Sequence, residues 1–171
     1  MSDSESSSLK VFPAAEEHLA GISDLAAIIW RAHYPGIITP AQIDYMLARM
    51  YDLSVLREEL TNGIQFERAI VDGEFRGFSS FGPASLASEI KLHKLYVHPD
   101  WQGHGIGRAL LNSCERQAKE CRATALVLNV NKRNERAMAA YGKYGFAIRE
   151  SVTLDIGGGF VMDDYVMAKP L

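Results

Sequence analysis

Residues 89–111 read EIKLHKLYVHPDWQGHGIGRALL, and this stretch decides the fold. Glu89 to Val97 alternates like a strand, Pro99 turns a corner, and the glycine-studded segment QGHGIG leads into the apolar face of a helix. A strand, a glycine loop and a helix start in succession gather unpaired backbone N–H groups at the positive end of a helix dipole, which makes an anion site. The flanking sequence has to say which anion is held, and for what purpose.

Working outward, Gln65–Val71 and Phe75–Phe81 read as strands around the turn Asp72-Gly73-Glu74, and residues 83–88 form a loop before the central strand. Further upstream, Leu9–Pro13 is a short strand, with Pro13 at its end. Apolar residues at helical spacing from Glu16 give a first helix to about His33, broken by Tyr34-Pro35-Gly36. Thr39 caps a second helix with Pro40 at its first position and Gln42 at the capping-box site. A third segment runs from Ser54 to Leu60 and ends at Asn62-Gly63. Downstream, a helix from Gly105 to Cys121 buries Ile106, Leu110, Cys114, Ala118 and Cys121. Ala125–Val130 is a continuously apolar strand of the kind covered on both faces. Arg133–Tyr144 is a helix stopped by Gly145, and strands Phe146–Leu154 and Phe160–Met167 flank a flexible Gly157-Gly158-Gly159 connection. No repeat or linker divides this order. The expectation is one mixed α/β domain over residues 9–171, after a polar, disordered tail over residues 1–8.

The 171 residues, 47% of them hydrophobic, suffice for one well-cored domain and are short for two. A net charge of −3 and a pI near 5.9 supply no basic field for nucleic acid. The start SDSESSS lacks the apolar region of a signal peptide, and the longest apolar run, Leu25–Trp30, is too short to cross a membrane. A cytoplasmic setting without membrane contact is therefore expected. Cys114 and Cys121 lie about 10 Å apart along a helix, beyond disulfide reach, and read as small core residues. The five histidines show no metal-ligand spacing, so no metal is expected.

Two nucleotide motifs fail against the glycine loop. Gly103, Gly105 and Gly107 are spaced G-x-G-x-G, with Arg108 where a dinucleotide fingerprint wants its third glycine, and the following strand ends at Leu128-Asn129-Val130 without an acid. The G-x-x-x-x-G-K-[ST] loop is absent. What the loop does carry is Q-x-x-G-x-G at Gln102, Gly105 and Gly107, preceded by Leu95-Tyr96-Val97-His98-Pro99. A second pattern follows: Leu128-x-Val130-x-x-x-Asn134-x-x-Ala137-x-x-x-Tyr141-x-x-x-Gly145-Phe146. Seven residues apart on a helix, Asn134 and Tyr141 fall within about 20° of one direction. Tyr144 lies about 80° away and reads as packing.

Together these motifs resemble the Gcn5-related N-acetyltransferases, over nearly the whole chain. The resemblance implies a central, mostly antiparallel sheet of six to seven strands, splayed between strands 4 and 5 and flanked by about four helices. It implies acetyl-CoA as acyl donor, its pyrophosphate held by the loop Gln102, Gly103, His104, Gly105, Ile106, Gly107 and Arg108. It further implies CoA contacts from the main chain of Leu95, Tyr96 and Val97 and from Asn134, with Tyr141 protonating the departing thiolate. Leu95 is the favoured main-chain partner of the thioester carbonyl.

An amine near pKa 10 must lose a proton before it attacks. The strand positions that supply a base in some relatives fall on Lys91 and His93. His93 titrates in a suitable range, and Glu89 could act through water. Ribosomal-protein acetyltransferases carry a glutamate where this chain has Asn129, a departure from a ribosomal-protein substrate. On the acceptor side, Tyr34-x-Gly36-Ile37-Ile38-x-Pro40-x-Gln42-Ile43-x-Tyr45-Met46-Leu47 and Gly159-Phe160-x-Met162-Asp163-Asp164-Tyr165-x-Met167 are similar to the small-molecule, polyamine-acetylating PaiA-like branch. Tyr34 and Tyr45 would line the groove, and Asp163 with Asp164 would hold a second ammonium. The leading expectation is acetylation of a primary amine of a small molecule in a ternary complex. Acetylation of protein N-termini or lysines, and a non-catalytic acyl-CoA sensor, stand as the alternatives. Pairing through C-terminal strands is common in such relatives, and Phe160–Met167 could serve it, which leaves a homodimer open.

Overall fold

The computed structural model describes residues 8–171. The first seven residues of the expected tail lie outside that range, and Ser8 is tied to Asp72 through its N–H at 2.8 Å from Oδ1. The chain runs β1 (Leu9–Ala14), a 3-10 turn (Glu16–His18), α1 (Leu19–His33), α2 (Pro40–Tyr51), α3 (Leu53–Thr61), β2 (Gln65–Val71), β3 (Glu74–Pro83) and β4 (Glu89–Val97). After a second 3-10 turn (Pro99–Trp101) come α4 (Ile106–Glu120), β5 (Ala125–Asn131), α5 (Glu135–Tyr144), β6 (Ala147–Gly157) and β7 (Phe160–Pro170).

The seven strands form one sheet in the order β1-β2-β3-β4-β5-β7-β6. Every neighbouring pair is antiparallel except β4–β5, which is parallel and short, from Glu89 opposite Ala125 to Leu92 opposite Leu128. The splay expected between the fourth and fifth strands is therefore present. It begins one residue after Leu92.

Local chemistry explains most boundaries. The Thr39 side chain accepts from the Gln42 N–H at 3.1 Å and Pro40 opens α2, as the capping pattern requires. The Gln42 amide does not close the box. It donates instead to Val161 O at 3.0 Å. Asn134 caps α5, two residues later than expected, and Gly145 ends it at φ 110°. α4 stops one residue before Cys121, which is exposed rather than buried, whereas Cys114 is fully buried and its thiol is pushed up to about 12 by burial.

The sheet has two covered faces. α1, α2 and α3 pack on one through Trp30, Tyr51, Phe66 and Phe78, while α4 and α5 cover the other through Cys114, Leu126, Leu128 and Phe146. Val127 is buried on the opposite side from its neighbours, so β5 is apolar on both faces, as its sequence required. The three glycines after Ile156 all have positive φ. Two serve a close approach as well: a Cβ on Gly157 or Gly158 would stand 2.8 Å from the Tyr45 ring or hydroxyl. No helix among the described residues is long and apolar enough to cross a membrane.

Candidate active site

Where β4 and β5 part, they open a cleft of about 1150 Å³ that passes from the glycine loop to the helices of the opposite face. The pairing of β3 with β4 fixes what the gap exposes. The His98 N–H donates to Arg76 O at 2.8 Å, so in the antiparallel alternation Tyr96 bonds to β3 as well. Leu95 and Val97 then turn their N–H groups toward the side that β5 has left. Nearer the closed end, the register shifts between Ser80 and Phe81, which face Lys94 and Leu92. His93 is the extra residue of this bulge.

On the loop side, Gly103 and Gly105 take φ 79° and 81°, and Gly105 caps α4 without a side chain. The first intrahelical bond runs from the Ala109 N–H to Gly105 O, which leaves the N–H groups of Ile106, Gly107 and Arg108 free. Gly77 on β3 seats this helix start: a Cβ there would lie 2.9 Å from Ile106 Cγ2 and 3.0 Å from Tyr96 O. His104 is exposed, its Nδ1 3.0 Å from Gln102 O, and does not line the cleft.

Across the gap, α5 presents Asn134 and Tyr141 to the cleft. Asn134 is buried, and its Oδ1 accepts from the Ala137 N–H at 3.3 Å, so the residue serves as helix cap while facing the cleft. Tyr141 packs edge-on against Phe146, its hydroxyl bonds to no protein group among the described residues, and burial raises its pKa. A raised pKa keeps the phenol protonated, the state a proton donor needs. Tyr144, also on the cleft wall, donates to Asn112 Oδ1 and lies under the Lys169 ammonium.

The side expected to take the acceptor is roofed by α1 and α2. Tyr34 is buried against Trp30, and its hydroxyl lies 3.2 Å from that of Tyr96. Met46, Met50, Met162 and Leu154 add apolar lining. The roof is held down at several points. Tyr45 and Arg49 donate to Ile156 O at 2.6 and 2.7 Å, Gln42 reaches Val161 O, and Arg133 donates to Gly36 O and Ile37 O at 2.7 and 2.8 Å. Tyr45, expected in the groove, instead spends its ring on Phe160 and its hydroxyl on this tie.

The expected charged residues separate. Asp164 is buried on the cleft, whereas Asp163 is exposed and ion-paired to Lys132 at 2.6 Å. Glu89 does not reach the cleft: it lies at the closed end of the β4–β5 pair, accepting from Arg149 at 2.7 Å. His93 lines the cleft, but its pKa is pushed down to about 4 by burial, then by Lys91 and Lys94, and its Nε2 is buried without a partner. So weak a base has little drive to accept an amine's proton at neutral pH, and this environment counts against the role its residue type suggested.

Four cleft residues were not anticipated. His33 lies beside Asn134, its pKa lowered by burial, and Arg49 stands on the rim. Lys94 is buried in the central strand with its ammonium 2.8 Å from both oxygens of Glu59. A lysine on the apolar phase of the central strand, in step with Ile90, Leu92 and Tyr96, was the available signal, since a buried ammonium requires a partner.

The family model for the acetyltransferase (GNAT) family matches residues 23–146. The chain is similar to spermidine N(1)-acetyltransferase of Thermoplasma acidophilum, 24% identical over 161 residues that make up 91% of this chain and 96% of that one. An uncharacterized N-acetyltransferase of Mycobacterium tuberculosis is 35% identical over 83 residues, 48% of this chain, and the chain spans about half (53%) of that relative's length. Among solved structures, the PaiA N-acetyltransferase of T. acidophilum in complex with coenzyme A superposes with a TM-score of 0.82 at 24% identity, over 96% of this chain and 99% of that one, a likeness of fold.

Proposed function

The chain belongs to the acetyltransferase (GNAT) family, and on that premise we propose that it is an acetyl-CoA-dependent N-acetyltransferase of small primary amines. The observation that carries the proposal is the splayed pair itself: free main-chain donors at Leu95 and Val97 stand between an anion site on one side and a chamber roofed by α1 and α2 on the other.

The residues present fit acetyl-CoA. The free N–H groups of Ile106, Gly107 and Arg108 suit a pyrophosphate, and Gln102, Gly103 and Gly105 shape the approach to them. Asn134 and Tyr141 face the same gap from α5. Bound there, the cosubstrate supplies an activated acetyl group on sulfur. The Leu95 N–H polarises its carbonyl oxygen and Val97 adds the next free donor, whereas the main chain of Tyr96, also expected to contact CoA, is taken by β3. Tyr141 gives its proton to the sulfur as the acetyl group leaves.

The roof over the acceptor side supports a small substrate. Ties from Tyr45, Arg49, Gln42 and Arg133 hold the roof in place over the chamber, against the entry of an extended peptide. The full-length spermidine-acetylating relative supports a polyamine. Asp164 is the carboxylate free to meet an ammonium in the chamber, because Lys132 neutralises Asp163 and Lys94 neutralises Glu59. Phe160–Met167 has no free edge, because β7 is paired by β5 and β6 on its two sides; the open outer edge of β6, with Ile148 and Leu154 exposed, is the one that supports pairing of two copies.

The test is thiol release from acetyl-CoA against spermidine, diamines, alkyl and aryl monoamines, and intact proteins. We expect at least one small amine to be acetylated, with kcat lowered on the order of 100-fold or more in Tyr141→Phe and acetyl-CoA affinity unchanged. Binding of acetyl-CoA without transfer to any amine would leave a CoA-binding module, and transfer to proteins alone would redirect the substrate assignment.

A further inference from the structure

The strand that carries Asp164 presents alternate residues to opposite faces of the sheet. Phe160 and Met162 pack toward α1 and α2, while Tyr165 and Met167 pack toward α4 and α5. Asp164 shares the first face. It is 3% exposed, yet it lines the cleft and forms no ion pair among the described residues. Asn129 of β5, one residue past the last β4–β5 pair, stands beside its carboxylate, so the carboxylate sits at the start of the splay. The Tyr34 hydroxyl lies near enough to feel its charge.

We propose that Asp164 is the catalytic base, the group that takes the proton from the acceptor amine; this rests on the N-acetyltransferase reading above. An N–H bond of the ammonium breaks as an O–H bond forms on the carboxylate. The freed nitrogen pair makes the C–N bond to the acetyl carbon, the C–S bond breaks, and the sulfur takes the Tyr141 proton. The second proton lost by nitrogen restores Tyr141, and Asp164 returns its own to water.

The surrounding charges suit the task. Burial and the adjacent Asp163 raise the Asp164 pKa, while Lys91 of β4 and Lys132 beyond β5 hold it down against that rise; Tyr34 faces it from the end of α1. A carboxylate held above its ordinary range accepts a proton more readily than one in water. His93, by contrast, is weakened by the same desolvation.

The experiment compares wild type, Asp164→Asn and Asp164→Glu on two acceptors: an alkyl amine that reacts, and its fluorinated analogue, whose nitrogen is already neutral at pH 7. With the alkyl amine at pH 7, Asp164→Asn should lose on the order of 100- to 1000-fold in kcat. The loss should shrink to a few-fold on the neutral analogue and fade as pH rises toward the alkyl amine's own pKa. Asp164→Glu should recover part of the rate, and should replace the Asn variant in the two-amine comparison if that variant does not fold. Equal losses on both amines, without alkaline recovery, overturn the assignment and leave Asp164 a positioning residue. If wild type binds acetyl-CoA but acetylates no amine, the enzyme reading itself fails and the base assignment goes with it.

Discussion

The Lys94 ammonium sits 2.8 Å from both carboxylate oxygens of Glu59, with the rings of Tyr51 and Phe66 at 5.4 and 5.9 Å. The pair joins the central strand to α3 beneath the acceptor chamber. Burial lowers the Lys94 pKa and Glu59 acts against that, so the pair exists because each partner offsets the other's desolvation. Removing one partner should be costly and removing both should not. Glu59→Ala is expected to destabilise by about 3 kcal/mol, the low end for a buried pair because the Glu59 side chain is 28% exposed. The double variant Glu59→Leu/Lys94→Met should recover most of that in urea unfolding. Equal losses in single and double variants would refute this account.

Gly77 sets how closely α4 approaches the sheet. A Cβ at this position meets Ile106 Cγ2 at 2.9 Å and Tyr96 O at 3.0 Å, and the backbone oxygen has little freedom to move. Gly77→Ala should cost about 1–3 kcal/mol, as overpacking does. Because Ile106 is also the first residue of the anion site, acetyl-CoA affinity should fall several-fold as well, read by calorimetry on the folded variant. An unchanged affinity would separate helix seating from loop function.

The parts of this molecule legible in the sequence are those governed by neighbours along the chain. Thr39, Pro40, Gly105 and Gly145 act through bonds and dihedral angles within a few residues, and each occupies the role its local pattern demands. Asn134 and Tyr141 both line the cleft, the first as the cap of α5 and the second two turns along it, close to the one direction their spacing sets. Charged residues behaved otherwise. Asp163 and Asp164 are adjacent and chemically identical, yet strand alternation sends one to Lys132 and the other into the cleft. Glu89 is claimed by Arg149, 60 residues away, and His93 loses its basicity to burial and two lysines. Which face a carboxylate meets, and which distant cation meets it there, depends on sheet order, and β7 lying between β5 and β6 is not written in any local pattern.

His93 makes stability depend on pH in a defined window. Its folded-state pKa, about 4, lies below the ordinary 6.5, so the unfolded chain binds the proton more readily. The contribution is full above pH 6.5 and is lost as pH falls toward 4. His93→Asn should therefore flatten the loss of stability between pH 6.5 and 4 in urea titrations run at several pH values. An undiminished slope in the variant would assign the dependence to other groups. In an active preparation, the acid limb of kcat should persist in this variant, since the proposal assigns the amine's proton to Asp164 and not to His93.

Arg133 ties the segment between β5 and α5 to the loop after α1. It stands between β5 and α5, and its guanidinium donates to Gly36 O and Ile37 O in the loop that joins α1 to α2. That loop follows Tyr34, whose hydroxyl contacts Tyr96 inside the chamber, so the tie fixes one wall of the acceptor side to the helix carrying Asn134 and Tyr141. The bonds are exposed and contribute about 1 kcal/mol to stability, too little to decide folding. Their effect belongs to positioning. Arg133→Ala should raise the acceptor KM several-fold and leave acetyl-CoA affinity and thermal unfolding nearly unchanged. Arg133→Lys should repair little, because one ammonium replaces a planar fork that meets two carbonyls at once. A loss shared equally between acceptor and acetyl-CoA would place the tie on the cofactor side. If the roof excludes larger acceptors, the Ala variant should also gain relative rate on bulkier amines, and a panel ordered by size reads that directly.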